Sequence, residues 1–174
     1  QFTGGITSLF KANKVTAIAG YATLKANRVV SVKSADGKIT DYTATNVIIA
    51  TGSVPIELPF AKFDGEHIVD NAGALDFEET PKRLGVIGAG VIGLELGSVW
   101  KRLGSEVTII EALPDFLAAV DADIAKVAAR EFKKQGLDIR LGAKLSKAEV
   151  GKKGVKLTYT DSKGEQTLEV DKLL

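Results

Sequence analysis

Residues 84–97 read Leu84-Gly85-Val86-Ile87-Gly88-Ala89-Gly90-Val91-Ile92-Gly93-Leu94-Glu95-Leu96-Gly97. The stretch changes character in its middle. Arg83–Ile87 is a short apolar run of strand type, and from Val91 the apolar positions take helical spacing as far as Leu103. Gly104 stands where a left-handed residue closes a helix. Between strand and helix lies a Gly-x-Gly-x-x-Gly pattern, Gly88 to Gly93. The pattern is weak by itself in a chain with 18 glycines, so its setting has to carry the reading. A second strand, Glu106–Glu111, follows the helix and ends on an acid 21 positions after Gly90.

Strand, glycine turn, helix, strand and acid together make the fingerprint of dinucleotide binding, and each residue type has a task. Gly88 permits the tight turn out of the strand. Gly90 has no Cβ, so a pyrophosphate can approach the backbone. Gly93 lets the helix pack against the strand, and Gly97 keeps the same face small one turn on. The helix start offers unpaired N–H groups and the positive end of its dipole to phosphates. Glu111 can accept hydrogen bonds from the adenosine ribose, and it repels a 2′-phosphate. Ala112-Leu113-Pro114 brings no cation to offset that repulsion, so NAD is expected rather than NADP. The competing reading is a glycine-rich turn beside a surface glutamate.

Outward from this motif the second half keeps alternating. Asp121–Gln135 reads as a helix with Ile124, Val127, Ala128 and Phe132 on one face, closed by Gly136. Leu137–Leu141 reads as a third strand. The β-α-β-α-β order implies a parallel sheet with right-handed crossovers. Lys144–Glu149, Gly154–Asp161 and Gln166–Lys172 read as further strands, the last two joined through Ser162-Lys163-Gly164.

The first half reads differently. Gly5–Asn13 has helical spacing in Ile6, Leu9 and Phe10, with Asn13 as its stop. Val15–Leu24, Arg28–Lys33 and Lys38–Thr43 read as an antiparallel meander, turned at Ala26-Asn27 and at Asp36-Gly37. Val47–Ala50 reads as a short buried strand that leaves through a sharp turn at Thr51-Gly52-Ser53. Val54–Pro81 holds three of the four prolines and reads mostly as connection, with a domain boundary near residue 75.

Composition removes several function classes. Lysine and arginine number 23 against 22 acidic residues, so no net charge argues for nucleic acid or an anionic membrane. The apolar runs fall far short of the roughly 18 residues that a membrane helix needs. With no cysteine and one histidine, these residues offer no disulfide, no thiolate metal site and no Ser-His-Asp triad. His67 and the pairs Lys133-Lys134 and Lys152-Lys153 read as surface, and Trp100 as core. Glu95, on an otherwise apolar stretch, reads equally as a solvated helix residue or one that faces a ligand. The absence of methionine and a final Leu173-Leu174 that opens an apolar run lead to the expectation of an internal piece of a longer protein.

The run Leu84 to Trp100 with Arg102-Leu103-Gly104 resembles the pyridine-nucleotide disulfide oxidoreductases, and within them the lipoamide-oxidising branch. Thr3-Gly4-Gly5-Ile6, Leu9-Phe10-Lys11, Asn13-Lys14-Val15, Val47 to Ser53 and Lys134-Gln135-Gly136 carry the same likeness, which spans the chain. The resemblance implies an α/β chain, incomplete at both ends. Residues 1–75 would be the end of an FAD-binding domain with its antiparallel meander, and residues 76–174 a truncated Rossmann-like NAD-binding domain with a parallel sheet. It implies FAD contacts at Ala22, Thr51, Gly52 and Ser53, and NAD contacts at Gly88, Ala89, Gly90, Val91, Ile92, Gly93, Leu94, Glu95, Glu111 and Leu145. Val91 would lie over the flavin ring as a shield, Glu95 would reach toward the nicotinamide and Leu145 would lie against the adenine.

The activity implied is oxidation of protein-bound dihydrolipoamide through a redox disulfide and FAD to NAD. That disulfide and its acid–base pair match no position in this chain. The implied partners are lipoyl domains of 2-oxoacid dehydrogenase or glycine cleavage complexes, and a second copy through an interface domain beyond these residues. Neither nucleic acid nor membrane is implied. The implied compartment is a bacterial cytoplasm, with the mitochondrial matrix as the other choice. The alternatives are another FAD- and NAD(P)-dependent disulfide or mercuric reductase, and a non-catalytic dinucleotide-binding module.

Overall fold

A computed structural model describes residues 2–174, which divide into two compact units, the first ending at Ser53 and the second running Val54–Leu174. The first unit begins with helix α1, Phe2–Ala12. The helix stops before Asn13, as expected, with the Asn13 side-chain amide donating to the Leu9 carbonyl, and Lys14 takes the left-handed conformation at φ 55°. Val15 N–H reaches back to the Phe10 carbonyl and Lys14 N–H to that of Lys11, which satisfies the last carbonyls of the helix. The meander follows as β1 (Tyr21–Leu24), β2 (Val29–Lys33) and β3 (Ile39–Thr43), antiparallel and in that spatial order. Its two turns fall where the sequence puts them. Asn27 takes φ 58° in the first and Gly37 φ 84° in the second, where Asp36 accepts the Lys38 N–H at 3.2 Å.

Two expectations in this unit fail. The first strand does not begin at Val15, because pairing starts only at Tyr21 opposite Lys33. Residues 15–20 have no partner strand among the described residues, and alternation in a sequence cannot supply one. For the same reason Val47–Ala50 is not a buried strand. It makes no ladder, and Ile48 is 90% exposed.

The second unit opens with irregular backbone, as the prolines require, but this stretch is packed rather than loose. Asp64 Oδ1 accepts three successive N–H groups, from Glu66, His67 and Ile68. A short helix that the sequence reading does not anticipate, α2 (Asn71–Leu75), is capped by Asp70 on the Gly73 N–H. Ile68 forms a parallel bridge with Leu173, and Ile68, Val69 and Ala74 are buried. Residues 54–75 thus pack as part of the second compact unit, which begins at Val54. Proline marks irregular backbone, not absence of packing.

The rest of this unit runs β4 (Arg83–Ile87), α3 (Val91–Arg102), β5 (Glu106–Ile110), α4 (Ala122–Lys134), β6 (Asp138–Arg140), β7 (Lys144–Gly151), β8 (Gly154–Asp161), β9 (Gly164–Val170) and β10 (Lys172–Leu173). The parallel sheet has the order β10-β4-β5-β6, and β7-β8-β9 form an antiparallel sheet. The last predicted strand, 166–172, is two. Asp171 breaks it, its carboxylate taking the Arg83 backbone N–H at 2.8 Å and the guanidinium at 2.7 Å, and β10 then joins β4 as a fourth parallel strand.

Alternation in the parallel strands separates two cores. Leu84, Val86, Val107 and Ile109 pack with Leu94 and Trp100 of α3, and Ile110 packs with Leu145, Leu157, Tyr159 and Leu173. The buried face of α4 is shifted from the expected one. Ile124 and Val127 are 60% and 49% exposed, whereas Ala125 is buried and Phe132 meets Phe116 edge-on with ring centroids 6.4 Å apart. Apolar residues occupy two adjacent stripes of this helix, and the one that holds Ala125 and Phe132 is the more buried.

Candidate functional site

The loop from β4 into α3 assigns its glycines to different physical jobs. Gly88 adopts φ +97°, a conformation costly to residues with a Cβ. Gly93 lies so close to the strand that an added Cβ would stand 2.3 Å from the Gly88 carbonyl oxygen, and at Gly97 it would press on Ile109 and Val107. At Gly90, by contrast, an added Cβ would meet no atom within 4 Å. Gly90 is therefore not needed for packing, and its missing side chain leaves open volume at a helix end.

That helix end is unfinished. Gly90 is the N-cap of α3 and offers no side-chain acceptor; the first intrahelical bond runs from Leu94 N–H to Gly90 O at 3.0 Å. The N–H groups of Val91, Ile92 and Gly93 precede that bond and have no intrahelical acceptor. The first turn carries no acid, while the last carries Lys101 and Arg102. Unpaired donors and the positive dipole end thus face the open volume beside Gly90, an arrangement that attracts an anion.

Glu111 is brought to this loop. One carboxylate oxygen accepts the Ala89 N–H at 2.8 Å, and the other accepts the Leu113 N–H at 2.8 Å. A single acid thus joins the loop before α3 to the loop after β5. Leu113 takes part through its backbone alone, and for that reason no side-chain pattern in the sequence marks it. On the following segment, Ala143 N–H bonds the Glu111 carbonyl at 2.8 Å, so Leu145, two residues on, belongs to the same corner of the unit.

The other expected site residues divide by what they leave free. Val91 and Ile92 are about half exposed at the mouth of the loop, and Glu95 is exposed in the second turn of α3. Leu94 is 2% exposed and its N–H is committed to Gly90, so its part is to hold the helix down. Leu145 is buried against the core of the antiparallel sheet and can offer no more than an edge. Ala22, Thr51, Gly52 and Ser53 belong to the first unit. Ala22 is exposed on β1 opposite Val32, and Gly52 takes φ +77° within an exposed turn. His67 is only half-buried, 3.9 Å from carboxylates of Asp64 and Glu66, and both lysine pairs are exposed. Trp100 is core, with its indole N–H on the Ala74 carbonyl at 3.1 Å and its ring 5.3 Å from Phe77. Among the described residues no group of histidines and carboxylates can hold a metal ion, and no helix is long and apolar enough to cross a membrane.

Comparison with known proteins agrees with this geometry. The chain is 51% identical over 180 residues to the dihydrolipoyl dehydrogenase of Cupriavidus necator, across 100% of this chain and 37% of that one. It is 44% identical to the mitochondrial dihydrolipoyl dehydrogenase of Pisum sativum, across 97% of this chain and 34% of that one. Among solved structures, LpdA of Mycobacterium tuberculosis superposes with a TM-score of 0.80 at 28% identity, across 98% of this chain and 38% of that one. The chain thus spans little more than a third of the relatives it matches. The family model described as pyridine nucleotide-disulphide oxidoreductase matches residues 1–174. With the glycine loop, the open helix end and the acid of β5 all in place, the chain belongs to the pyridine nucleotide-disulphide oxidoreductase family.

Proposed function

We propose that the chain is the NAD-binding region, together with the end of the FAD-binding domain, of a dihydrolipoyl dehydrogenase. What chiefly supports the NAD assignment is the uncapped start of α3 beside the open volume at Gly90. A pyrophosphate fits the donor set there, Gly88 and Gly93 keep the loop in shape, and Glu111 stands by for the ribose. Val91 and Ile92 give the mouth an apolar lip, and Glu95 lies one turn further along for the nicotinamide end. Leu145 closes the adenine end. Ala22, Thr51, Gly52 and Ser53 are the FAD contacts by resemblance.

When bound, FAD and NAD would supply the redox chemistry, through which a dithiol's electron pair would pass to the nicotinamide as hydride. The residues of this chain bind and orient; the thiol and acid–base chemistry belongs to residues outside these 174. The substrate in this reading is a protein-bound dihydrolipoyl group, carried on lipoyl domains of 2-oxoacid dehydrogenase or glycine cleavage complexes. The enzyme is a homodimer, in a bacterial cytoplasm or a mitochondrial matrix. The identity to dihydrolipoyl dehydrogenases of bacteria and of mitochondria supports these points.

The test is Gly90→Val in the full-length protein. An added Cβ there has no protein atom within 4 Å, so circular dichroism is expected to stay native while NADH binding, followed by fluorescence titration, is lost. Unchanged NADH affinity in the folded variant would remove the loop from the function.

A further inference from the structure

We propose that Glu111 is a positioning residue that presets the phosphate loop before any nucleotide arrives, in addition to reading the ribose. The identity of the ligand rests on the proposed function; the clamp rests on the geometry of the free protein.

In β4 and β5 the parallel register ends at Ile87 opposite Ile110. Gly88 N–H still reaches the Ile110 carbonyl at 2.8 Å, and then φ +97° turns the chain away from the ladder. The next donor is the Ala89 N–H, in a residue 2% exposed, where water is a poor substitute for a missing acceptor. The Glu111 carboxylate supplies that acceptor and extends the ladder by one bond past the point where the backbones diverge. Its second oxygen fastens Leu113 N–H, so the two loops that flank the proposed ribose position are tied through one side chain. An ionised carboxylate has about four lone-pair sites, and two N–H groups leave room for two ribose hydroxyls. A glutamine amide has its acceptor on one atom only and leaves one of the two N–H groups facing an NH2.

It follows that exchanging Glu111 to admit a 2′-phosphate also loosens the loop that must hold the pyrophosphate. Cofactor choice and loop order are coupled at this side chain.

Amide hydrogen exchange on the nucleotide-free, full-length protein tests the clamp in Glu111→Gln and Glu111→Ala. In Glu111→Ala the Ala89 amide is expected to exchange about tenfold or more faster, the scale of one lost charge-assisted hydrogen bond, with the Val86 and Ile109 amides unchanged; in Glu111→Gln either the Ala89 or the Leu113 amide does so. Unchanged exchange at Ala89 in folded Glu111→Ala overturns the proposal. A second arm titrates wild type and Glu111→Gln with ADP and with dideoxy-ADP, which keeps the diphosphate and lacks both ribose hydroxyls. The clamp requires the variant to weaken both ligands. A variant that weakens ADP alone, down to the level of dideoxy-ADP, confines Glu111 to the ribose and overturns the clamp. Wild type that binds neither ligand refutes the dinucleotide reading, and the exchange experiment then still decides the clamp.

Discussion

Helices α3 and α4 lie on neighbouring crossovers of one parallel sheet, yet they begin in opposite ways. Asp121 closes α4. Its carboxylate accepts the N–H groups of Asp123 and Ile124 at 3.0 and 3.3 Å, and Asp123 adds a second negative charge to the first turn. Gly90 closes nothing at the start of α3, and that first turn holds no acid. A helix that only packs satisfies its own end. A helix that leaves three donors unpaired above an empty volume depends on something else to pair them. The difference is what sets the proposed binding crossover apart from a structural one, without reference to any relative.

Four experiments break or sharpen this contrast. The largest effect is expected from Gly93→Ala, whose Cβ would stand 2.3 Å from the Gly88 carbonyl oxygen. Backbone has to move, at about 3 kcal/mol or more, so denaturant unfolding should show a large loss of stability and NADH binding should fall with it. Gly90→Asp gives α3 the cap that α4 already has. The helix should gain a few tenths of a kcal/mol, while a carboxylate in the anion's place should cost NADH affinity roughly a hundredfold, or about 2.7 kcal/mol. If that variant binds NADH normally, the open end of α3 is not the phosphate site.

Asp121→Ala is the mirror experiment. It should cost about 1 kcal/mol of stability and leave NADH affinity alone, by the same titration and unfolding curves. The smallest effect belongs to the far end of β4. Burial pushes the Asp171 carboxyl up, but hydrogen bonds from the Arg83 side chain and backbone outweigh it and hold Asp171 below the ordinary carboxylate range. A depressed pKa in the folded state contributes stability that is present above the unfolded value of about 3.9 and is lost as pH falls through the folded one. Asp171→Asn should therefore flatten the acid limb of the stability curve below about pH 4 and change nothing in nucleotide binding. An unaltered acid limb would mean that the Arg83–Asp171 contact does not hold β10 in place.

What the sequence shows plainly is whatever is fixed by neighbours along the chain. β4 at Arg83–Ile87 and β8 at Gly154–Asp161 fall where the pattern puts them, and α3 and α4 agree within a residue at each end. Turn residues are legible for the same reason, since Asn27, Gly37 and Gly88 carry their positive φ locally. The glycine loop and Glu111 are legible as a set because the spacing of strand, turn, helix and strand is itself a short-range property.

Other features depend on what lies across space. Whether Val15–Gly20 or Val47–Ala50 becomes a strand depends on a partner with free N–H and C=O groups, and composition cannot name that partner. Which apolar stripe of α4 is buried depends on what packs against it, and the spacing of Ile124, Val127 and Ala125 along the chain does not name that neighbour. Asp171 splits the last strand because Arg83, distant in sequence, waits beside it. The sequence alone determined that a glycine loop joins strand to helix and which acid accompanies it. Only the tertiary structure decided that Gly90 fronts open space while Gly93 is wedged against backbone, and that both Glu111 oxygens are already bound. Those are distances between residues, and a linear pattern carries residue types and spacings but not the gaps that folding leaves between them.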